Sequence, residues 1–304
     1  MPDTIETRSG RDEMTREDRE AMQRLRDIIR GYGPAAVAFS GGVDSTFLLA
    51  VAHEVSGPRV MAITAVSPLY IAEEIEFARQ FAAAQEIKHV LVPGADLSSS
   101  CFAANPEDRC YHCKLLVLQK AREIAAQHGM QVLMDATHQD DLGDYRPGFK
   151  AVTELGVKSP LLAAGIIKAQ IRRLSREMGL PWDRPSQACL ASRFPYGTAI
   201  TAERLEQVSR AERVLRELGF RVARVRYHGE TARVEVGEDE IARLLEVETR
   251  RAVHDGIREA GFKYVALDLQ GYRTGSMNEG RVEAGGENKT PGAEFMEKPG
   301  IKSR

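Results

Sequence analysis

The chain has 304 residues and a formal net charge of −2. That length suggests two domains with ample core, and the balanced charge gives no general basic footprint for nucleic acid. No apolar run approaches the roughly 20 residues that span a bilayer, and the polar N-terminus does not read as a signal peptide, so a cytoplasmic protein with no membrane partner is expected.

Residues 1–13 read as a flexible N-terminus. Met22, Leu25, Ile28 and Ile29 stand at helical spacing and predict a helix over about 14–30. Ala36 to Phe39 is a buried-type strand. It runs into Ser40-Gly41-Gly42-Val43-Asp44-Ser45, and an apolar helix, Thr46 to Val55, follows. A strand at 60–66, a helix at 72–84, a short strand at 89–92, a helix at 115–128, a strand at 132–136 and a helix at 168–178 come next. This alternation predicts an α/β fold, a doubly wound parallel sheet covered on both faces, with ligands at the carboxyl ends of strands. Residues 182–200 are a Pro-rich, irregular linker. Thr201 then caps a helix with Leu205, Val208, Leu215 and Leu218 on one face. Strands 221–227 and 231–236 form a hairpin around His228-Gly229, residues 238–260 are helical, and 264–269 is a last strand. The expected organisation is a first domain over 14–181, the linker, a small α+β domain over 201–275, and a disordered tail over 276–304.

A strand, a Gly-Gly turn and a helix start make a phosphate cradle. The glycines let backbone N–H groups approach an anion, and the helix N-terminus carries partial positive charge. Asp44 beside phosphates requires a bridging divalent metal, so the run points to a magnesium-bound nucleotide. The Gly-Lys-Ser/Thr of P-loop kinases is missing. The run instead resembles the PP-loop of ATP pyrophosphatases, which cleave ATP to AMP and pyrophosphate. The resemblance implies that Ser40, Gly41, Gly42, Asp44 and Ser45 hold ATP phosphates, with Asp44 near Mg²⁺.

There are four cysteines. Cys101 stands alone and suits a buried core position. Cys110-Tyr111-His112-Cys113 is a C-x-x-C placed just before the predicted helix, and Cys189 lies in the linker. Three readings stay open on spacing alone. One is a redox disulfide. Another is a structural zinc, which would lack a standard fourth ligand. The third is an iron–sulfur cluster on three thiolates with one iron left open.

Three further strings follow the PP-loop in order: Asp108 to Lys114, Ala136 to Gly148 and Gln187 to Gly197. Together they resemble the LarE family, ATP-dependent sulfur transferases that build the nickel-pincer nucleotide of lactate racemase. The resemblance covers about residues 15–277. It implies a pyridinium-3,5-dicarboxylate mononucleotide as substrate, ATP and Mg²⁺ as cofactors, hydrosulfide or another sulfur donor, and a homo-oligomer. It also implies site roles for Asp140, Asp141, Asp144 and Arg146, for Arg193, and for Arg224, Arg226 and Glu235 as binders of the substrate phosphate, with Glu212 a weaker candidate. One branch of the family uses a single cysteine at the position of Cys189, which gives up its sulfur and leaves dehydroalanine. Here Cys110, Cys113 and Cys189 are all present, which resembles the members that bind a [4Fe–4S] cluster through three cysteines. The expectation is therefore a cluster with an open iron that carries hydrosulfide, and the sacrificial cysteine is the alternative. Rival functions are tRNA thiolation, which the balanced charge disfavours, amide formation, which needs no cysteine set, and a non-catalytic nucleotide-binding module.

Overall fold

A computed structural model describes residues 14–95, 97, 100–143, 148–185, 188–273 and 276–278. The expected flexible N-terminus and most of the expected tail lie outside these residues. In chain order the elements are α1 (Arg16–Tyr32), β1 (Ala35–Ala38), α2 (Val43–Ser56), β2 (Val60–Val66), α3 (Ala72–Ala84), β3 (Lys88–Pro93), α4 (Ser100–Ala103), α5 (Arg109–Gln127), β4 (Val132–Met134), α6 (Gly148–Glu154), α7 (Pro160–Ala163), α8 (Lys168–Glu177), α9 (Ala202–Glu217), β5 (Ala223–His228), β6 (Thr231–Val236), α10 (Ile241–Leu245), α11 (Val247–Glu259) and β7 (Tyr264–Leu267).

The first sheet has the order β3-β2-β1-β4, and every pair in it is parallel. This is the doubly wound parallel sheet that the strand–helix alternation predicts. Alternate residues of a strand serve opposite faces. Ala35 and Val37 join a core with α1, α2 and α8, while Ala36, Met61 and Ile63 join Leu118 and Ala121 of α5 on the other face. Helix α2 is buried nearly all round, with Phe47, Leu48, Leu49, Val51 and Ala52 all sealed. That explains its uninterrupted apolar sequence. Each such large side chain stabilises the fold by roughly 2 kcal/mol.

The second sheet has the order β5-β6-β7, with β5 antiparallel and β7 parallel to β6. Its apolar face, Val225, Tyr227 and Val234, packs on Leu205, Val208 and Leu215 of α9 and on Val253 and Ile257 of α11. The same cluster takes in Leu69, Ile71 and Phe102 from the first unit and Leu190 and Phe194 from the linker. One apolar core therefore closes over the cysteine-bearing segment.

Two differences from the sequence reading, the start of α5 and the place of Ser276, bear on the site. Helix α5 begins at Arg109, not at residue 115, so Cys110 and Cys113 lie inside its first turns at i and i+3 spacing on one face. The apolar period that predicts the helix starts only at Leu115, because the first turns, Arg109 to Lys114, carry polar residues and cysteines. The mostly helical stretch expected over 238–260 is present as α10 and α11, which the extended backbone of Glu246 separates. Ser276, which composition assigns to the tail, is buried and bonded to Arg226 and Glu235.

Thr15 caps α1 through a reciprocal pair of bonds with Asp18. Asp18 is sealed from solvent and accepts two bonds from Arg173 of α8, at 2.8 and 2.9 Å. Burial raises its carboxyl, but the bonds from Arg173 and Thr15 outweigh that and bring it down to about 2. A depressed carboxylate stabilises the fold above its unfolded pKa near 4, and that stabilisation is lost as pH falls toward 2. Asp18→Asn is therefore expected to cost roughly 1–2 kcal/mol at pH 7 in urea unfolding, after allowance for the partly solvated Arg173. The gap to wild type should shrink as pH falls from 4 toward 2, and a pH-independent gap would contradict the assignment.

Candidate functional site

The order β3-β2-β1-β4 places the first strand beside both the second and the fourth, so the chain switches direction next to β1. Open parallel sheets bind ligands at such a switch, beyond the carboxyl ends of the strands. A cleft of about 360 Å³ opens there. Its lining includes Ser40, Gly42, Asp44 and Ser45 from the β1–α2 turn, Thr64 and Ala65 from the end of β2, Asp135 to Thr137 from the end of β4, Lys114 from α5, and Cys189.

The turn is held by its own side chains. Ser45 Oγ donates to the Gly42 carbonyl at 3.1 Å and accepts from Ser40 N at 3.3 Å, with Ser40 Oγ 3.1 Å away. Gly42 is the N-cap of α2 and has no side chain over the helix start, which leaves the first amides facing the cleft. Gly41 has φ +79°, a left-handed conformation, and a Cβ there would meet the Glu74 carbonyl at 2.9 Å. Glycine is thus required at this position both by conformation and by close approach.

Asp44 stands in the first turn of α2 and is hydrogen-bonded by Lys168 Nζ. The Lys168 amide donates to Asp140 at 2.6 Å. His138 lies between the carboxylates, with Nε2 at 3.6 Å from Asp141 and 3.9 Å from Asp44. Asp141 itself is buried and accepts from the His138 amide at 3.0 Å. Asp44 and Asp141, read separately in the sequence, thus converge at one end of the cleft. Asp144 and Arg146 lie outside the described residues.

Across the cleft, Asp135 is buried at the end of β4. It accepts from Lys114 Nζ at 3.0 Å and from Thr137 and Ser159 hydroxyls at 2.6 Å each. Since Lys114 follows Cys113, this ion pair ties the cysteine helix to the sheet edge.

Cys110, Cys113 and Cys189 are free thiols that share one electrostatic neighbourhood. Burial, then the nearby Cys189 and Cys110, push Cys113 up to about 12, against a smaller opposite effect of Tyr70. Desolvation and Cys189 also raise Cys110, a softer shift because that residue is exposed. The Tyr70 hydroxyl lies 4.0 Å from Cys113 Sγ, and the Leu69 carbonyl accepts from the Leu190 amide at 2.8 Å. The loop after β2 therefore touches both the cysteine helix and the Cys189 turn. Among the described residues, no three His, Cys, Asp or Glu side chains are gathered as ligands of a single metal ion. The side chain of Cys101 lies outside the described residues.

Behind Cys189 the charges are buried. Arg193 has no solvent exposure and makes a two-pronged pair with the equally sealed Glu212, at 2.7 and 3.0 Å. Its remaining terminal nitrogen donates to the Ala188 and Cys189 carbonyls, at 2.8 and 3.3 Å, so it grips the turn that carries the cysteine. Burial raises the Glu212 carboxyl, but Arg193 outweighs that and holds it below its usual range. Arg224 and Arg226 share one face of β5, as the period-two pattern requires. They are buried rather than solvated. Arg226 pairs with Glu235 at 2.7 Å and donates to the Ser192 carbonyl at 3.2 Å. Arg224 lies over the Tyr272 ring, and burial followed by repulsion from Arg193 lowers its guanidinium to about 10.

Sequence reasoning missed Tyr70, Asp135, Lys168 and Arg184. Lys168 and Arg184 carry no motif of their own; each reaches the site only through the tertiary fold. Asp135 sits one residue before a string that was singled out, and its strand-end position was the available signal.

The asparagine synthase family model matches residues 23–136. A curated protein of Lactiplantibacillus plantarum, pyridinium-3,5-bisthiocarboxylic acid mononucleotide synthase, is 38% identical over 265 residues, 86% of this chain and 93% of that protein. An uncharacterized protein of Synechocystis is 41% identical over 84% of this chain and 96% of its own length. The GMP synthase B subunit of Archaeoglobus fulgidus is 22% identical over 65% of this chain and 68% of its own.

Gly41→Ala should weaken pyrophosphate binding by about tenfold or more, because the loop must shift off the Glu74 carbonyl. Calorimetric titration of wild type and variant checks this; equal affinities would contradict the geometry.

Proposed function

The chain belongs to the LarE family within the ATP-using PP-loop proteins, and from that premise we propose that it converts the carboxylates of pyridinium-3,5-dicarboxylate mononucleotide into thiocarboxylates. The product is the precursor of a nickel-pincer nucleotide. The observation that carries the reading is that one cleft is lined both by the Ser40–Ser45 turn and by Cys189. An activating site and a sulfur site therefore meet.

A carboxylate oxygen is a poor leaving group, so sulfur cannot displace it directly. In the proposed reaction a substrate carboxylate oxygen attacks the α-phosphorus of ATP. A bond to the bridging oxygen breaks and pyrophosphate leaves. Sulfur then attacks the carbonyl carbon of the acyl-adenylate, and AMP departs with the former carboxylate oxygen. Ser40, Gly41, Gly42 and Ser45 cradle the pyrophosphate through the exposed amides of the α2 start. Asp44 and Asp141 are the carboxylates placed to hold Mg²⁺, which would neutralise the departing charge. Lys168 donates to Asp44, and in the proposed reaction it shares that carboxylate with the ion. Arg224 and Arg226, with Glu235 orienting Arg226, form the site for the substrate phosphate. Arg193 holds the Cys189 turn in place and is assigned to the same anion-binding region. A homo-oligomer is part of the same reading.

Cys110, Cys113 and Cys189 are proposed to hold a [4Fe–4S] cluster. The donor set fits in kind, since thiolates are the ligands such clusters take. What supports the reading is that the three thiols share one neighbourhood and that Cys189 lines the cleft with the Ser40–Ser45 turn. Burial holds the Cys110 and Cys113 thiols protonated, and a cationic cluster would supply the charge that offsets this. When bound, the cluster would present an open iron that carries replaceable sulfur.

Protein purified without oxygen is expected to contain about four irons per chain and to make many thiocarboxylates per chain. Cys189→Ser should abolish sulfur transfer and retain binding of MgATP. Colourless, iron-free protein that transfers one sulfur and leaves dehydroalanine at position 189 would replace the cluster with the sacrificial route.

A further inference from the structure

Arg184 stands five residues before Cys189 and carries no role in the reading above. Its side chain crosses to the nucleotide loop and is clamped on three sides. One terminal nitrogen donates to the Gly41 carbonyl at 2.7 Å and the other to Glu74 of α3 at 2.6 Å. The guanidinium lies 3.5 Å over the centre of the Phe77 ring, a favourable stack for a planar cation. Phe77 and the Glu74 carbonyl are also the groups against which Gly41 is packed. Arg184, the first two turns of α3 and the glycine turn thus form one unit.

A trans peptide points its C=O and its N–H in opposite directions. Because Arg184 draws the Gly41 carbonyl outward, the N–H of the same peptide, on Gly42, is turned the other way. It faces Ser40 Oγ, 3.4 Å distant, and Gly42 lines the cleft whereas Gly41 does not. We propose that Arg184 is a positioning residue: it sets the Gly41–Gly42 peptide so that its N–H meets the pyrophosphate portion of ATP, and it links the loop to the segment that carries Cys189. Arg184 does not touch the nucleotide; it acts through a backbone carbonyl. The Thr46 hydroxyl also donates to the Gly41 carbonyl, but at the longer distance of 3.4 Å; without the shorter Arg184 bond the peptide is held less firmly and the cradle has a donor less well fixed in advance. Arg184 stands only five residues before Cys189 in the chain, so the loop that binds ATP and the cysteine that serves sulfur transfer are joined by a short covalent tether. Without the link, water reaches the adenylate: its oxygen adds to the carbonyl carbon, AMP leaves, and carboxylate is regenerated with no sulfur transferred.

The inference rests on ATP occupying the loop, and the test separates the two. Binding of a MgATP analogue with a methylene bridge between the α and β phosphorus atoms is measured on wild type, Arg184→Met and Arg184→Lys, together with AMP formed per thiocarboxylate made and the melting temperature. Arg184→Met keeps the apolar stem but no donor, and is expected to bind about tenfold more weakly and to form excess AMP per sulfur transferred. Arg184→Lys can donate to the Gly41 carbonyl and should recover part of the affinity. If wild type does not bind the analogue, the ATP reading itself fails. If wild type binds and Arg184→Met matches it in affinity and in AMP per sulfur, the positioning role is overturned while the ATP reading stands. A fall in melting temperature with affinity and stoichiometry unchanged would likewise reduce Arg184 to a structural contact.

Discussion

The parallel pairing of β1 between β2 and β4 is the constraint from which the site follows. It puts the carboxyl ends of three strands side by side and makes the chain diverge above them, so a cleft must open there. The Gly-Gly turn leaves β1 at that point and the buried helix α2 begins directly after it, with its first amides uncapped by side chains. Everything else is arranged around this opening. Asp44 and Asp141 stand at one end, Asp135 with Lys114 at another, and the thiols beyond.

The second unit is tied to that opening by an apolar core and by buried charge, and each does different work. The core that joins Leu69 and Phe102 to Phe194 and α9 supplies the burial energy. The sealed Arg193–Glu212 pair adds little net stability, because both charges had to leave water. Its value lies in direction: Arg193 bonds to the very carbonyls that carry Cys189, and Arg226 bonds to the Ser192 carbonyl in the same turn. Arg193 and Arg226 therefore rest on the same short stretch of backbone that carries Cys189.

Much of this was legible from the chain. Apolar runs of four to seven residues alternating with helical periods gave the parallel sheet, and Ser40 to Ser45 gave the nucleotide loop, because local chemistry alone demands glycine and a helix start there. The period-two pattern placed Arg224 and Arg226 on one face, but it could not show that the face is buried, with Arg224 over the Tyr272 ring and Arg226 bonded to Ser276, which composition assigns to the tail. The start of α5 lies six residues before the one its pattern predicts, since the polar and cysteine residues of its first turns break the apolar period. Lys168 and Arg184 were invisible for a different reason. Each meets its partner across more than 120 residues of chain, and no local pattern reports such a contact. The three thiols illustrate the middle case: spacing left disulfide, zinc and cluster open, family resemblance favoured the cluster, and the fold adds that all three share one neighbourhood beside the loop.

The central claim is that ATP is spent to activate a substrate carboxylate before sulfur arrives. Substrate labelled with ¹⁸O in both carboxylates tests it directly, by mass spectrometry of the nucleotide product. Attack of a carboxylate oxygen on the α-phosphorus, followed by loss of AMP to sulfur, predicts one labelled oxygen in each AMP and unlabelled pyrophosphate. Thiocarboxylate formed with unlabelled AMP, or with ADP and phosphate in place of AMP and pyrophosphate, would contradict it.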